Sequence, residues 1–206
     1  MGSLVPGTIE TDRLRFEAIR PETVDVLELY EICSSDPEID EITEYLTWDP
    51  HETPNETLEF VDHVAKRYES DDGAAYLIRP KAGEDGAGEI AGESGFAIDW
   101  KKRTMTLGVW LRTRFWGRGY SGERAAAFLE VAFDRLDLEL VAVCVDVEND
   151  RSHRAIRKYV NAHGGQRDGL VRNWVVIGDD PTDCYRYTVS QSEWRENRSD
   201  VVVSIE

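Results

Sequence analysis

A glycine turn set between a strand and a helix constrains this chain more than any other stretch. Residues Trp116-Gly-Arg-Gly-Tyr-Ser121 follow the strand-like run Thr106-Leu-Gly-Val-Trp-Leu111. They precede apolar residues at Ala125, Phe128, Leu129, Ala132, Phe133 and Leu136, a spacing that repeats with the helical period. Glycine lets a turn adopt positive φ and lets a ligand come close to the main chain. Amides of such a turn and of the helix start then converge on an anion, most often a phosphate. A plain turn would also use glycine, and the hexapeptide alone does not decide between the two. The turn is not a P-loop, because no Gly-x-x-x-x-Gly-Lys-Ser/Thr occurs. It also lacks the Gly-x-Gly-x-x-Gly spacing of a dinucleotide fold.

The 206 residues fit one domain, and a hydrophobic content of 41% suffices for a core. No apolar run approaches membrane-spanning length. The start, Met1-Gly-Ser-Leu-Val-Pro-Gly7, lacks the basic and apolar regions of a secretion signal. Cys33, Cys144 and Cys184 are scattered and odd in number, which suits reduced thiols in a cytoplasmic protein. No Cys/His cluster has zinc-ligand spacing, so no metal is expected. The net charge is −17. Such acidity attracts a cationic amine or basic peptide, or it keeps a protein hydrated in a salt-rich cytoplasm. The acids are dispersed along the chain and lysine is sparse, which favours whole-surface adaptation. No basic stripe is present, so a nucleic-acid partner is not expected.

Along the chain, Leu14–Ile19 alternates as a strand. Pro21 suggests the first turn of a helix carrying Val24, Leu27 and Tyr30–Ile32. Residues 36–54 read as an acidic, proline-punctuated loop with room for a helical turn, and Thr57–Ser70 as a helix. Strands are expected at 74–79, 89–98, 104–111 and 140–147, with helices at 122–136 and 152–163. Gln166–Arg172, or slightly beyond, and Cys184–Ser190 close the sheet. Residues 201–205 are apolar, and both a strand and a swapped arm fit them. This order implies an α+β fold with a mixed β-sheet and helices on both faces.

The pattern resembles the GNAT acyl-CoA N-acyltransferases, in particular their RimJ/RimL-like branch. The family's pyrophosphate loop, Gln/Arg-x-x-Gly-x-Gly/Ala, maps onto Trp116–Ser121, with Trp116 and Ser121 as departures. A second motif follows at Asn149-Asp-Arg-Ser152. Thr11–Phe16, Tyr45–Pro50 and Tyr187–Trp194 resemble the branch's first strand, substrate-side segment and closing strand. The resemblance implies a single GNAT-like domain over residues 9–194, flanked by tails at 1–8 and 195–206. It implies an N-acetyltransferase that uses acetyl-CoA and a primary-amine acceptor, either a protein N-terminus or a small amine. The chemistry would be direct attack in a ternary complex; a homodimer is compatible with it. It also implies that strands 104–111 and 140–147 splay to admit the pantetheine arm.

Trp110, Leu111, Trp116, Gly117, Arg118, Gly119, Tyr120, Ser121 and Asn149 are the expected cofactor-binding residues. Many relatives place a Tyr acid seven residues after the Asn, where this chain has Ile156. Ser152 is therefore assigned to protonate the departing thiolate. Relatives also carry Glu at the position of Thr106, so Glu93 on the preceding strand is assigned as the base. A catalytically weak acyl-CoA-binding module is the alternative reading.

Overall fold

In the computed structural model, which describes residues 3–206, one nine-stranded sheet organises the chain. In chain order the strands are β1 (Thr8–Glu10), β2 (Leu14–Ala18), β3 (Gly73–Pro80), β4 (Gly92–Asp99), β5 (Thr104–Leu111), β6 (Leu140–Asp146), β7 (Gln166–Ile177), β8 (Asp180–Ser190) and β9 (Ser204–Ile205). Their spatial order is β7-β8-β6-β5-β4-β3-β2-β1-β9. All neighbours run antiparallel except β5 and β6. The expected mixed sheet with helices on both faces is what the chain forms.

Each face buries its own core. On one face lie α4 (Tyr120–Glu130), α5 (Asp150–Ala162) and α6 (Gln191–Glu196), over the alternate sheet residues Phe16, Tyr76, Phe96 and Leu107. On the other lie α1 (Val26–Ser35), α2 (Ile39–Thr43) and α3 (Pro54–Glu69), over Ala75, Leu77 and Trp110. The two-residue side-chain period of a strand produces this division. Phe128 of α4 anchors the first core, with ring centroids 5.6 Å from Phe16, 5.6 Å from Tyr76 and 5.3 Å from Phe96.

Several boundaries depart from the sequence reading. Pro21 does not open α1; that helix begins at Val26, because the Asp25 carboxylate accepts the Leu27 and Glu28 amides. The helical turn that residues 36–54 allowed is present, as α2. Helix α4 starts two residues early, at Tyr120, and passes into a wider turn at Val131–Arg135. The β7–β8 hairpin is longer than expected: it spans residues 166–190 and carries register shifts between Arg167 and Gly169 and between Val171 and Val175. Residues 204–205 add a strand to the edge of β1.

The feature that positions the site is a parting of strands. β5 and β6 pair only at Thr104–Leu140, Met105–Val141 and Thr106–Ala142. Beyond those three pairs they separate, while β5 stays paired to β4 through Leu111 and β6 to β8 through Asp146.

Candidate active site

The parted strands open into a cleft of about 710 Å³. Its walls come from the end of β5, the turn after it, and the starts of α4 and α5, with α2 and the segment after it across the mouth. The glycine turn leads directly into α4. Gly117 has φ of +75° and Gly119, the residue before the helix, has φ of +82°. A side chain at Gly117 would meet no atom within 4 Å, so the backbone angle rather than crowding calls for glycine there.

No side chain caps α4. Among the described residues, none of the five consecutive amides of residues 117–121 donates a hydrogen bond, whereas those of Gly122 and Glu123 return to the Gly119 carbonyl. Five free N–H groups at the positive end of a helix form an anion cradle. The turn is held from below. The buried Glu123 carboxylate accepts from Thr11 Oγ1 at 2.6 Å, from the Arg13 amide at 3.0 Å and from Arg13 Nε at 2.7 Å. Arg13 Nη1 in turn donates to the Arg118 carbonyl at 3.0 Å.

Most of the expected cofactor residues meet in this cleft. Trp110, Leu111, Trp116, Gly117, Gly119, Tyr120, Ser121, Asn149 and Ser152 all line it. Trp116 Nε1 donates to the Leu111 carbonyl at 2.7 Å, which folds the turn back onto the strand. Asn149 Oδ1 accepts the Ser152 amide at 3.0 Å and so caps α5, placing a second helix start beside the first. Arg118 is not in the lining. Its guanidinium turns away to Asp85, at 2.8 Å, on the loop between β3 and β4.

Glu93 is not in the lining either. It lies on the α1–α3 face, paired across the sheet with Leu77 and Trp110, and only Trp110 reaches the cleft. Burial raises the Glu93 carboxyl to about 7, against the opposing pull of the Trp110 indole and the Arg124 and Arg67 charges. Trp48 packs edge-on to Trp110 at 5.5 Å. Glu44 lines the mouth and Asp49 does not. His63 sits exposed on α3 beside Arg67. Burial raises the Cys33 thiol to about 12 and the Cys184 thiol to about 11, which leaves both inert near neutral pH.

Tyr45 and Leu46, on the segment expected to face the substrate, line the cleft as well; the sequence reading missed Arg151, Arg154 and Lys158, which also line it. The three cations fall on one helical face at intervals of three and four, a spacing visible in the sequence. Arg154 and Lys158 form no ion pair among the described residues, in a chain where acids outnumber bases 41 to 24.

Known proteins resemble this chain in sequence and in fold. A family model described as an acetyltransferase (GNAT) domain matches residues 13–159. A curated Bacillus subtilis protein, "Putative ribosomal N-acetyltransferase YdaF", is 27% identical over 97 residues, which are 47% of this chain and 51% of that protein. The chain thus spans about half the length of the curated relatives it matches. A GCN5-related N-acetyltransferase from Brucella melitensis superposes with a TM-score of 0.77 at 22% identity, covering 94% of this chain and 83% of its own. The self-immunity acetyltransferase MccE, solved with acetyl-CoA and AMP, superposes with a TM-score of 0.76 at 18% identity, covering 91% and 98%. At these identities the solved structures speak to the fold.

Proposed function

The chain belongs to the GNAT acetyltransferase family, and on that premise we propose that it is an acetyl-CoA-dependent N-acetyltransferase of the RimJ/RimL-like branch. The observation that carries this reading is the run of five free amides at residues 117–121, four of which belong to residues that line a cleft between parted strands. Those amides suit the cofactor's pyrophosphate, and the gap between β5 and β6 suits its extended arm. The acceptor is a primary amine, either a protein N-terminus or a small amine, entering past Glu44 and Tyr45. The word ribosomal in the name of the Bacillus subtilis relative supports a protein acceptor. Thiol release from acetyl-CoA, measured over a panel of amines and N-terminal peptides at high salt, tests the reading. Release no faster than the acceptor-free blank across the panel would reject it.

In a ternary complex the neutral amine attacks the thioester carbonyl. The C–N bond forms, the C–S bond breaks, and the thiolate leaves with the electron pair. Positioning of the two reactants supplies most of the rate, since oriented pairs reach effective molarities of roughly 10⁵ M or more. Ser152, on the cleft wall, protonates the thiolate. Glu93 takes the amine's proton through water, because Glu93 itself is not among the lining residues and only its strand neighbour Trp110 reaches the cleft.

A base must be ionised to act, so a Glu93 raised to about 7 is active above that pH and idle below it. Wild-type kcat should therefore rise through about pH 7, and Glu93→Gln should lose that limb of the profile. Ser152→Ala should lower kcat by about 10²-fold with little change in acetyl-CoA affinity. Full kcat in both variants at every pH would remove both assignments. The absence of Glu93 from the lining, with Ile156 in place of a tyrosine, favours one second reading: a weak acyl-CoA-binding module. Single-turnover release of free CoA separates the two.

We also propose that the −17 charge is an adaptation to a salt-rich cytoplasm. Repulsion among dispersed carboxylates is screened at molar salt, where the Debye length is about 3 Å. The melting temperature should rise from dilute buffer to molar KCl. A flat or falling trend would count against the adaptation and for a partner-directed acidic surface.

A further inference from the structure

Arg151 is the second residue of α5 and lines the cleft beside the cradle. Its guanidinium carbon lies 3.6 Å from the centroid of the Trp116 ring, immediately before Gly117. The same guanidinium donates to Glu41 Oε1 of α2 at 2.9 Å. Three elements thus meet at one cation: the phosphate turn, the start of α5 and α2 across the mouth. A cation in the first turn of a helix opposes the helix dipole, so α5 gains nothing from it locally. The ring face of Trp116 holds the guanidinium in place, and its charge is matched by a single exposed ion pair, with side chains 53% and 48% accessible. Such a pair is weak and easily surrendered.

On the reading that acetyl-CoA phosphates occupy the amide cradle, we propose that Arg151 is a further cofactor-binding residue and that Glu41 is its built-in competitor. The cofactor takes Arg151 by exchange: the pyrophosphate replaces the Glu41 carboxylate as the guanidinium's partner. One ionic contact is lost as one is gained, so this residue adds little net salt dependence to binding. An arginine free to pair only with phosphate would add a contact that salt weakens.

Calorimetric titration of acetyl-CoA tests this, from the lowest ionic strength at which the protein stays folded up to molar KCl. In dilute buffer Glu41→Gln should tighten binding about two- to fivefold, the scale of an exposed pair. Its affinity should then fall more steeply with salt than that of the wild type. Arg151→Gln should weaken binding about tenfold, the scale of a charge-assisted contact. In the Arg151→Gln background, Glu41→Gln should bring no gain. Glu44→Gln is the control, because Glu44 lines the cleft and is not an ion-pair partner of Arg151. An equal gain from Glu44→Gln would reduce the effect to the general field and overturn the exchange. Wild-type binding with no tightening in Glu41→Gln would overturn it as well. A wild type that does not bind acetyl-CoA at all would overturn the cofactor reading itself, and the exchange with it.

Discussion

Replacing Gly119 with Asp is expected to weaken acetyl-CoA binding by more than tenfold, about 1.4 kcal/mol or more. The residue sits at φ of +82° immediately before α4, inside the run of free amides. Asp tolerates the left-handed region better than most side chains. The main injury is therefore electrostatic: on the proposed reading, a carboxylate is fixed where the cofactor's phosphate would sit. Gly119→Ala carries the backbone strain of about 1–2 kcal/mol without the charge. Calorimetry on the two variants separates strain from repulsion. Unchanged affinity in Gly119→Asp would detach the cradle from cofactor binding.

A larger loss in stability should follow from Phe128→Ala. Phe128 is fully buried and touches three other aromatic rings from three strands. Truncating such a ring costs about 3–5 kcal/mol, a large part of the roughly 5–15 kcal/mol that holds a domain folded. Chemical denaturation in molar salt should report a lower midpoint at an unchanged slope. Because Phe128 seats the helix that begins at the cradle, cofactor affinity should fall as well. A loss below about 1 kcal/mol would mean that the core collapses around the gap.

What the sequence revealed followed from local periodicity. The glycine turn, its flanking strand and helix, and the second motif at Asn149 were legible because each depends on neighbours within a few turns. Nine of the eleven expected site residues do line one cleft. The two that do not, Arg118 and Glu93, are displaced by partners distant in sequence. Asp85 draws Arg118 away from the turn, from 33 residues earlier in the chain. Strand register sends Glu93 to the face opposite α4, and alternation alone could not say which face meets the cleft. Arg151 was hidden for the opposite reason. Its spacing with Arg154 and Lys158 was visible, but its contacts with Trp116 and Glu41 come from the tertiary fold. The start of α1 shows a local signal outweighing another local signal: the Asp25 cap fixes the helix five residues beyond the proline that suggested an earlier one.

The early separation of β5 from β6 gives this sheet four edges where an open sheet ordinarily has two. Two are the outer strands β7 and β9. The other two face each other inside the molecule, along 107–111 and 143–146, each with its far side still paired. A bare backbone edge invites any extended chain to add itself as a strand, which is a liability on an outer surface. Here the first turns of α4 and α5 wall it in, and access is through the cleft. A guest with amides at peptide-like intervals would be read by main chain rather than by side chains. Side chains along those two segments can then vary widely without loss of recognition, provided the backbone stays extended. Proline is the exception, since it removes the donor that the guest would find.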